Sequence, residues 1–260
     1  MKQNNKKQST SYLPLNWLNK PENVQAFTTL ISGGYSTGNY SQFNLASHVG
    51  DDLAAVRVNR EKLFEDLNLP AEPVWLDQVH SNKVILAGEN LVQGTVAEPH
   101  VMQADASISR TPGVVCAVLT ADCLPVFFCN QSGSEVAVAH AGWRGLHGGI
   151  ITATVNTMRS SAEALLVSFG PAIGPKAFEV GEEVFNAFVD KNRKNRSAFV
   201  ENRKHHYLCD IYQLARIELE SLGVTRVSGG NYCTYSEAQR FYSYRRQQIT
   251  GRMASLIWLE

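Results

Sequence analysis

Two imidazoles and one thiol stand in three short stretches: Asp77-Gln78-Val79-His80, Ala121-Asp122-Cys123-Leu124-Pro125-Val126 and Ala139-His140-Ala141-Gly142-Trp143-Arg144-Gly145. Nitrogen from His80 and His140 and sulfur from Cys123 suit a zinc ion. Three protein ligands leave a fourth position open, which a catalytic zinc needs and a structural zinc does not. Copper also accepts His and Cys, but a blue-copper centre adds a long axial Met. Met1, Met102, Met158 and Met253 are remote in sequence from these stretches. Without a metal, Cys123 and His140 suit a nucleophile–base pair in which the imidazole keeps the thiol as thiolate. Spacing leaves both readings open, alongside the plainer one of hydrogen-bonded structural histidines.

Polar groups near the trio extend the chemistry. Asp122 precedes the thiol and is placed to accept an N–H from a ligand His. Arg144 follows His140 where a helix is expected to open after Gly145, so a guanidinium and a helix N-terminus converge on a phosphate or carboxylate site. Arg245, Arg246 and Arg252 are further cationic candidates.

The elements that must position these groups are legible as apolar runs. Val114 to Ala121, Pro125 to Cys129 and Val136 to His140 are short, bounded by turn residues and apolar on both faces, as buried strands are. Val24 to Ile31, Val74 to Leu76, Lys83 to Leu86, Leu165 to Phe169, Val224 to Ser228 and Ala254 to Leu259 read as further strands. Helices are expected from Asp52 to Leu67, Gly148 to Arg159, Glu182 to Val189 and Asp210 to Leu222, the last with Gly223 as its C-terminal cap. Ser32 to Tyr40 is a glycine-rich loop without the Lys-Ser/Thr ending of a P-loop. Gly88 to His100 reads as a loop, and Lys191 to Arg196 as a solvated basic turn. No repeat or linker interrupts the pattern. We expect a disordered tail over residues 1–11 and one α/β (α+β) domain over 12–260, a sandwich of mixed β-sheets flanked by helices.

Bulk properties exclude several function classes. Lys plus Arg and Asp plus Glu are 24 each, so a nucleic-acid binder relying on a strongly basic surface is not expected. No apolar stretch reaches the ~18 residues of a membrane span, and Met1 to Thr10 has no apolar core of a secretory signal. The five cysteines are odd in number and form no Cys-x-x-Cys pair. Buried thiols in a reducing cytoplasm are the expectation.

The three stretches, with Phe43-Asn44-Leu45, His48-Val49-Gly50-Asp51-Asp52, Gly170-Pro171-Ala172-Ile173-Gly174-Pro175, Cys233-Thr234 and Phe241-Tyr242-Ser243-Tyr244-Arg245-Arg246, resemble the YfiH family, also called the laccase-domain or polyphenol-oxidase family. The resemblance runs from about Ala26 to Leu259. It implies an α/β sandwich distantly shared with bacterial toxin cysteine hydrolases, and a metal, zinc or sometimes copper, on His80, Cys123 and His140. It implies a purine nucleoside and phosphate as small-molecule substrates: phosphorolysis of adenosine, inosine, guanosine and methylthioadenosine, with deamination of adenosine. Bacterial members are also named peptidoglycan editing factors, so a cysteine hydrolase cutting an amide in cell-wall precursors is the alternative. The laccase label fits poorly, because several His-rich copper sites cannot be drawn from seven His.

On this reading Cys123, His140, Arg144 and Asp122 are the expected catalytic residues. Arg144 is expected to hold phosphate, Asn44 or His48 to reach the ribose or base, Phe241 or Tyr242 to stack on the purine, and Arg245 to assist. The family commonly has an Arg shortly before the Gly-Gly of its first loop. Ile31 stands there in this chain, which shifts any anion-binding duty to Arg144 or Arg245. A monomer or homodimer is expected, with no nucleic acid or membrane as partner.

Overall fold

A computed structural model describes residues 11–15, 17–88 and 102–260. Apart from Ser11 and Gly88, the tail expected over 1–11 and the loop expected over 88–100 lie outside the described residues. In chain order the first strands are β1 (Tyr12–Pro14), β2 (Val24–Thr29), β3 (Leu76–Asp77), β4 (Val84–Leu86), β5 (Met102–Gln103), β6 (Ala106–Ser109) and β7 (Cys116–Thr120). They are followed by β8 (Leu124–Asn130), β9 (Val136–Ala141), β10 (Leu165–Phe169), β11 (Glu179–Gly181), β12 (Phe199–Arg203), β13 (His206–Cys209), β14 (Val227–Gly229) and β15 (Met253–Leu259). The helices are α1 (Leu53–Asp66), α2 (Trp143–Gly148), α3 (Ile150–Thr157), α4 (Glu182–Lys191) and α5 (Ile211–Ser221).

Two sheets form the body. One has the order β1-β2-β15-β7, the other β14-β10-β8-β9-β6-β4. Every residue of β7, β8, β9, β10 and β15 is buried, because both faces of these strands are covered. The alternation of side chains divides each strand between two cores. Phe127, Cys129, Val136 and Val138 of the six-stranded sheet meet Val24, Ala26, Cys116, Val118, Ile257 and Leu259 of the four-stranded one in the seam between them. On its other face the six-stranded sheet turns Leu124, Val126, Phe128, Ala137, Ala139 and Ala141 toward Ile150 and Ile151 of α3 and Leu214 and Ala215 of α5. The four-stranded sheet turns Ala117, Leu119, Ala254 and Leu256 toward Leu63 of α1 and Phe43. The mixed α/β sandwich with helices outside, expected from the sequence, is the architecture seen.

Helix ends follow their capping residues. Asp52 accepts from Ala54 N at 2.9 Å before α1, and Asp210 from Gln213 N at 3.0 Å before α5; such a cap is worth about 1 kcal/mol. The single helix expected over 148–159 is two. Gly149, at φ +86°, ends α2 and begins α3, a backbone that only glycine adopts cheaply. The helix therefore starts at Trp143, directly after the His140 stretch. The basic turn expected over 191–196 is a 3₁₀ turn, Arg193–Ala198, that buries Asn195. A small sheet, β11-β13-β12, was not visible in the pattern. Four of the five β12 residues are exposed, so no apolar run marks it.

Candidate metal centre and its cleft

Strand register brings the thiol and one imidazole together. In the antiparallel pair β8/β9, Pro125 stands opposite His140. Cys123, two residues earlier on the same face, is therefore the diagonal neighbour of His140, within reach of a side-chain contact. Both lie on the face whose inner residues fill the seam, at the end where that seam opens. His80 arrives from the loop after β3. Its Nε2 is 3.9 Å from Cys123 Sγ, and its ring is edge-on to His140 with centroids 4.7 Å apart. The three ligand atoms lie within 4.8 Å of one another. His140 is buried, Cys123 half-buried and His80 exposed, so the group opens in one direction.

One carboxylate holds the imidazole of His140 and the backbone of His80. Asp105, fully buried, takes His140 Nδ1 at 2.8 Å, His80 N at 3.0 Å, Ser81 N at 2.6 Å and Ser81 Oγ at 2.8 Å. Its own carbonyl accepts His140 N at 2.7 Å. With Nδ1 engaged, His140 presents Nε2 to the site, the orientation that a carboxylate behind a ligand His enforces. Burial pushes the Asp105 carboxyl up, but the bonds from His140 and Ser81 outweigh it and hold it below its usual range. His80 sits at φ +60° and Asp122 at φ +91°. These are costly backbones for residues with a Cβ, held by bonds on both sides of the centre.

The duty expected of Asp122 belongs to Asp105. Asp122 Oδ1 accepts from Thr234 Oγ1 at 2.6 Å, and Oδ2 from Ser243 Oγ at 3.0 Å and Arg245 N at 2.6 Å. Its carboxylate faces away from the imidazoles and pins the segment that carries Tyr244 and Arg245 beside Cys123. Asp105 went unnoticed in the sequence because its partner is 35 residues away and meets it only through the register of β6 on β9.

Electrostatics separate the metal-free thiol from an ordinary one. Burial alone would raise the Cys123 pKa; the charge on His140 and the bonds from His140 and His80 outweigh it and bring it down to about 6. For His140, burial lowers the pKa, while the Cys123 thiolate and Asp105 raise it to about 9. Each partner thus favours the charged form of the other, thiolate on Cys123 and imidazolium on His140.

The trio lines a cleft of about 650 Å³. His48, Arg144, Arg245, Arg252, Trp143, Phe178 and Tyr244 also line it. Arg144 lies 4.3 Å over the Trp143 ring. Arg245 stacks on Phe178 at 5.5 Å and donates to Glu179 O at 2.8 Å. Burial and the neighbouring Arg252 charge push the His48 pKa down. Two expected substrate residues are elsewhere. Asn44 is fully buried; its amide donates to Asp51 Oδ2 at 2.9 Å and Ala46 O at 3.1 Å, and accepts from Arg252 N at 2.9 Å. Phe241 is fully buried beside Tyr232, with centroids 5.8 Å apart. Asn44 shapes the loop behind Arg252 and Phe241 fills a core, so neither lines the cleft. Tyr242 is also buried and donates to Tyr40 O. The exposed aromatic at the cleft is Tyr244, a neighbour of the expected pair. Arg246 spends its guanidinium on the carbonyls of Thr234, Tyr235 and Phe241. Ile31 packs beside Leu30, Phe241 and Met253, an apolar use of its position.

The donor set fits a metal. Two nitrogens and a sulfur on a tetrahedral zinc stand about 3.5 Å apart when bonds are 2.0–2.3 Å; Cys123 Sγ and His80 Nε2 are 3.9 Å apart and all three atoms lie within 4.8 Å of one another, so small side-chain shifts bring them onto one ion. Gly142 supplies the room: a Cβ there would lie 2.9 Å from Cys123 Sγ and 3.0 Å from His80 Cδ2. Among the described residues this is the one such cluster of His, Cys, Asp or Glu.

Comparison with known proteins identifies the family of the chain. The family described as multi-copper polyphenol oxidoreductase laccase matches residues 25–260. The chain is 50% identical over 241 residues to the purine nucleoside phosphorylase YfiH of Escherichia coli, covering 92% of this chain and 96% of that one. Protein NMB0706 of Neisseria meningitidis has a solved structure with TM-score 0.90 at 43% identity, covering 96% of this chain and 100% of that one. YlmD of Geobacillus stearothermophilus superposes with TM-score 0.82 at 30% identity, covering 92% and 93%.

Proposed function

This chain belongs to the laccase-domain family that includes YfiH, and from that premise we propose that it is a metal-assisted purine nucleoside phosphorylase. His80, Cys123 and His140 would hold one ion, with zinc favoured over copper by the His₂Cys set and by the lack of a Met among the described residues lining the cleft. Bound there, the metal supplies Lewis-acid stabilisation of charge on an oxygen of the reactant. The observation that carries the reading is the position of the trio at the base of a cleft walled by cations and aromatics.

Phosphorolysis needs an oxyanion held beneath the ribose C1′ while the purine departs and the sugar gains positive character. Arg144, exposed and braced on Trp143, is suited to the phosphate, and Arg245 and Arg252 add positive charge to the same wall. Preorganised cations of this kind act where charge develops. His48, with its depressed pKa, is available as a neutral imidazole to bond the ribose or base. Tyr244 or Trp143 takes the stacking duty expected of Phe241. Deamination of adenosine at the same centre belongs to this proposal as a second outcome.

One observation favours a second reading. Cys123, His140 and Asp105 form a thiolate, an imidazolium and an orienting carboxylate, the arrangement of a thiol hydrolase acting on an amide. The test is product identification with inosine or adenosine and phosphate, with and without a chelator. Ribose 1-phosphate and free base that disappear on chelation support the phosphorylase; ammonia and inosine from adenosine support the deaminase. Amide cleavage that survives chelation and is lost on thiol alkylation would replace both.

A further inference from the structure

Among the described residues three carboxylates line the cleft: Asp122, Glu179 and Glu183. Two of them are committed. Asp122 accepts from Thr234, Ser243 and Arg245. Glu179 accepts from Arg203 Nη2 at 2.8 Å and Asn202 Nδ2 at 2.7 Å, and neither of those residues lines the cleft. Glu183, exposed in the first turn of α4, makes no hydrogen bond or ion pair with any described residue. Arg144, Arg245 and Arg252 supply the positive part of the wall. Glu183 is thus a free acceptor in a cleft otherwise walled by cations.

The backbone leaves room for this carboxylate. Gly181, the N-cap of α4, has φ −80° and ψ 173°, an extended conformation open to any residue. Its missing side chain serves space instead. A Cβ there would collide with Glu183 Oε2 and lie 2.8 Å from both Oε1 and Cδ. The carboxylate is folded back over Gly181, and both residues line the cleft.

An ionised carboxylate only accepts hydrogen bonds, and it repels phosphate. It therefore selects a part of the ligand that carries donors. The ribose 2′- and 3′-hydroxyls are two adjacent donors, which two carboxylate oxygens match, as acidic side chains do for ribose in dinucleotide sites. Inosine and adenosine share these hydroxyls, whereas N1 of adenine is an acceptor that a carboxylate repels.

We propose that Glu183 is a specificity-determining residue that binds the vicinal diol of the ribose, so that the site takes ribonucleosides over deoxyribonucleosides. The proposal rests on the phosphorylase reading above. Gly181 is the positioning residue, because a side chain there pushes the carboxylate off the cleft wall. A carboxylate in the first turn also suits the helix dipole; that role alone would touch stability and treat all ligands alike.

The test uses metal-loaded wild type, Glu183→Ala, Glu183→Gln and Gly181→Ala. Phosphorolysis of inosine and adenosine is measured, with 2′,3′-dideoxyinosine, which lacks both donors, as a competitive inhibitor. Glu183→Ala is expected to lower kcat/KM for both nucleosides about tenfold, mainly through KM, as for a charge-assisted hydrogen bond. The inhibition constant of dideoxyinosine should stay unchanged. Glu183→Gln keeps one acceptor and should lose less. Gly181→Ala should reproduce the Glu183→Ala loss with metal content and melting temperature kept. Unchanged turnover of inosine in Glu183→Ala overturns the proposal, as does an equal weakening of dideoxyinosine. Loss with inosine but not adenosine places the carboxylate on N1–H of the base and overturns the ribose assignment. Gly181→Ala with wild-type kinetics overturns the positioning role alone. Wild-type protein that forms no ribose 1-phosphate from either nucleoside overturns the phosphorylase reading and this one with it.

Discussion

The middle of the inter-sheet seam and its open end are built from the same strands and behave as opposites. In the middle, Cys116 and Cys129 lie among Val118, Phe127 and Val138, and burial pushes both thiols up to about 12. At the end, Cys123 drops to about 6 beside His140 at about 9. The residues of both regions share strand faces, so side-chain direction is not what separates them. The difference is what closes them: apolar neighbours in the middle, imidazoles and a cleft at the end. Reactive chemistry sits where the strand pairing runs out, so the sheets fix the position of the groups without sealing them off.

The sharpest break between the regions is the pair Cys123→Ala and Cys129→Ala. Cys123→Ala is expected to abolish bound metal and nucleoside turnover in a folded protein. Cys129→Ala should leave metal content intact and lower stability by about 1 kcal/mol through lost packing. Elemental analysis and thermal melts distinguish them; equal metal content in the two variants would erase the contrast. Thiol reactivity probes the same divide without mutation. In metal-free protein the Cys123 thiolate accumulates as pH rises through about 6, whereas a thiol with the ordinary value of 9.0 would wait for alkaline pH. Alkylation of Cys123 should therefore already be near its plateau at neutral pH, with Cys116 and Cys129 unlabelled; peptide mapping across a pH series reads this.

Asp105→Asn tests the support behind the open end. An amide no longer enforces the same donor on His140, so metal affinity should fall about 10–100-fold, measured by competition with a chromophoric chelator. Asp122→Asn should change it less, because Asp122 bonds to Thr234, Ser243 and Arg245 instead. Smaller again is Arg144→Ala. It should raise the KM for phosphate roughly tenfold, as expected for one charge-assisted hydrogen bond, with metal retained. Least of all, Tyr244→Ala should raise the nucleoside KM a few-fold, about 0.5–1.5 kcal/mol for a stacking contact. Phe241→Leu should leave that KM unchanged and show its effect in the melting temperature.

What was legible in the sequence follows the same divide. Strands buried on both faces announce themselves as apolar runs, and β8, β9, β10 and β15 were found within two residues. The hairpin of β12 and β13 was not, since Val200, Glu201, Asn202 and Arg203 are exposed and polar pattern carries no strand signal there. The three ligand candidates stood out because Cys and His at strand ends are rare chemistry. Asp105 did not, because a carboxylate becomes the partner of the His140 imidazole only through β6 lying beside β9. Asn44 and Phe241 belong to the stretches that carry the family resemblance, yet serve the loops and core behind Arg252 and Tyr244. Membership of such a stretch does not place a side chain in the cleft; the fold does.

The central claim is that one ion is held by a sulfur and two imidazole nitrogens, with a position left for a reactant. X-ray absorption at the metal edge of the purified protein tests it most directly. The account predicts one metal per chain, with one sulfur at about 2.3 Å and nitrogen or oxygen neighbours at about 2.0–2.1 Å. A metal shell without sulfur, or protein that carries no metal after growth and purification in zinc, would contradict it.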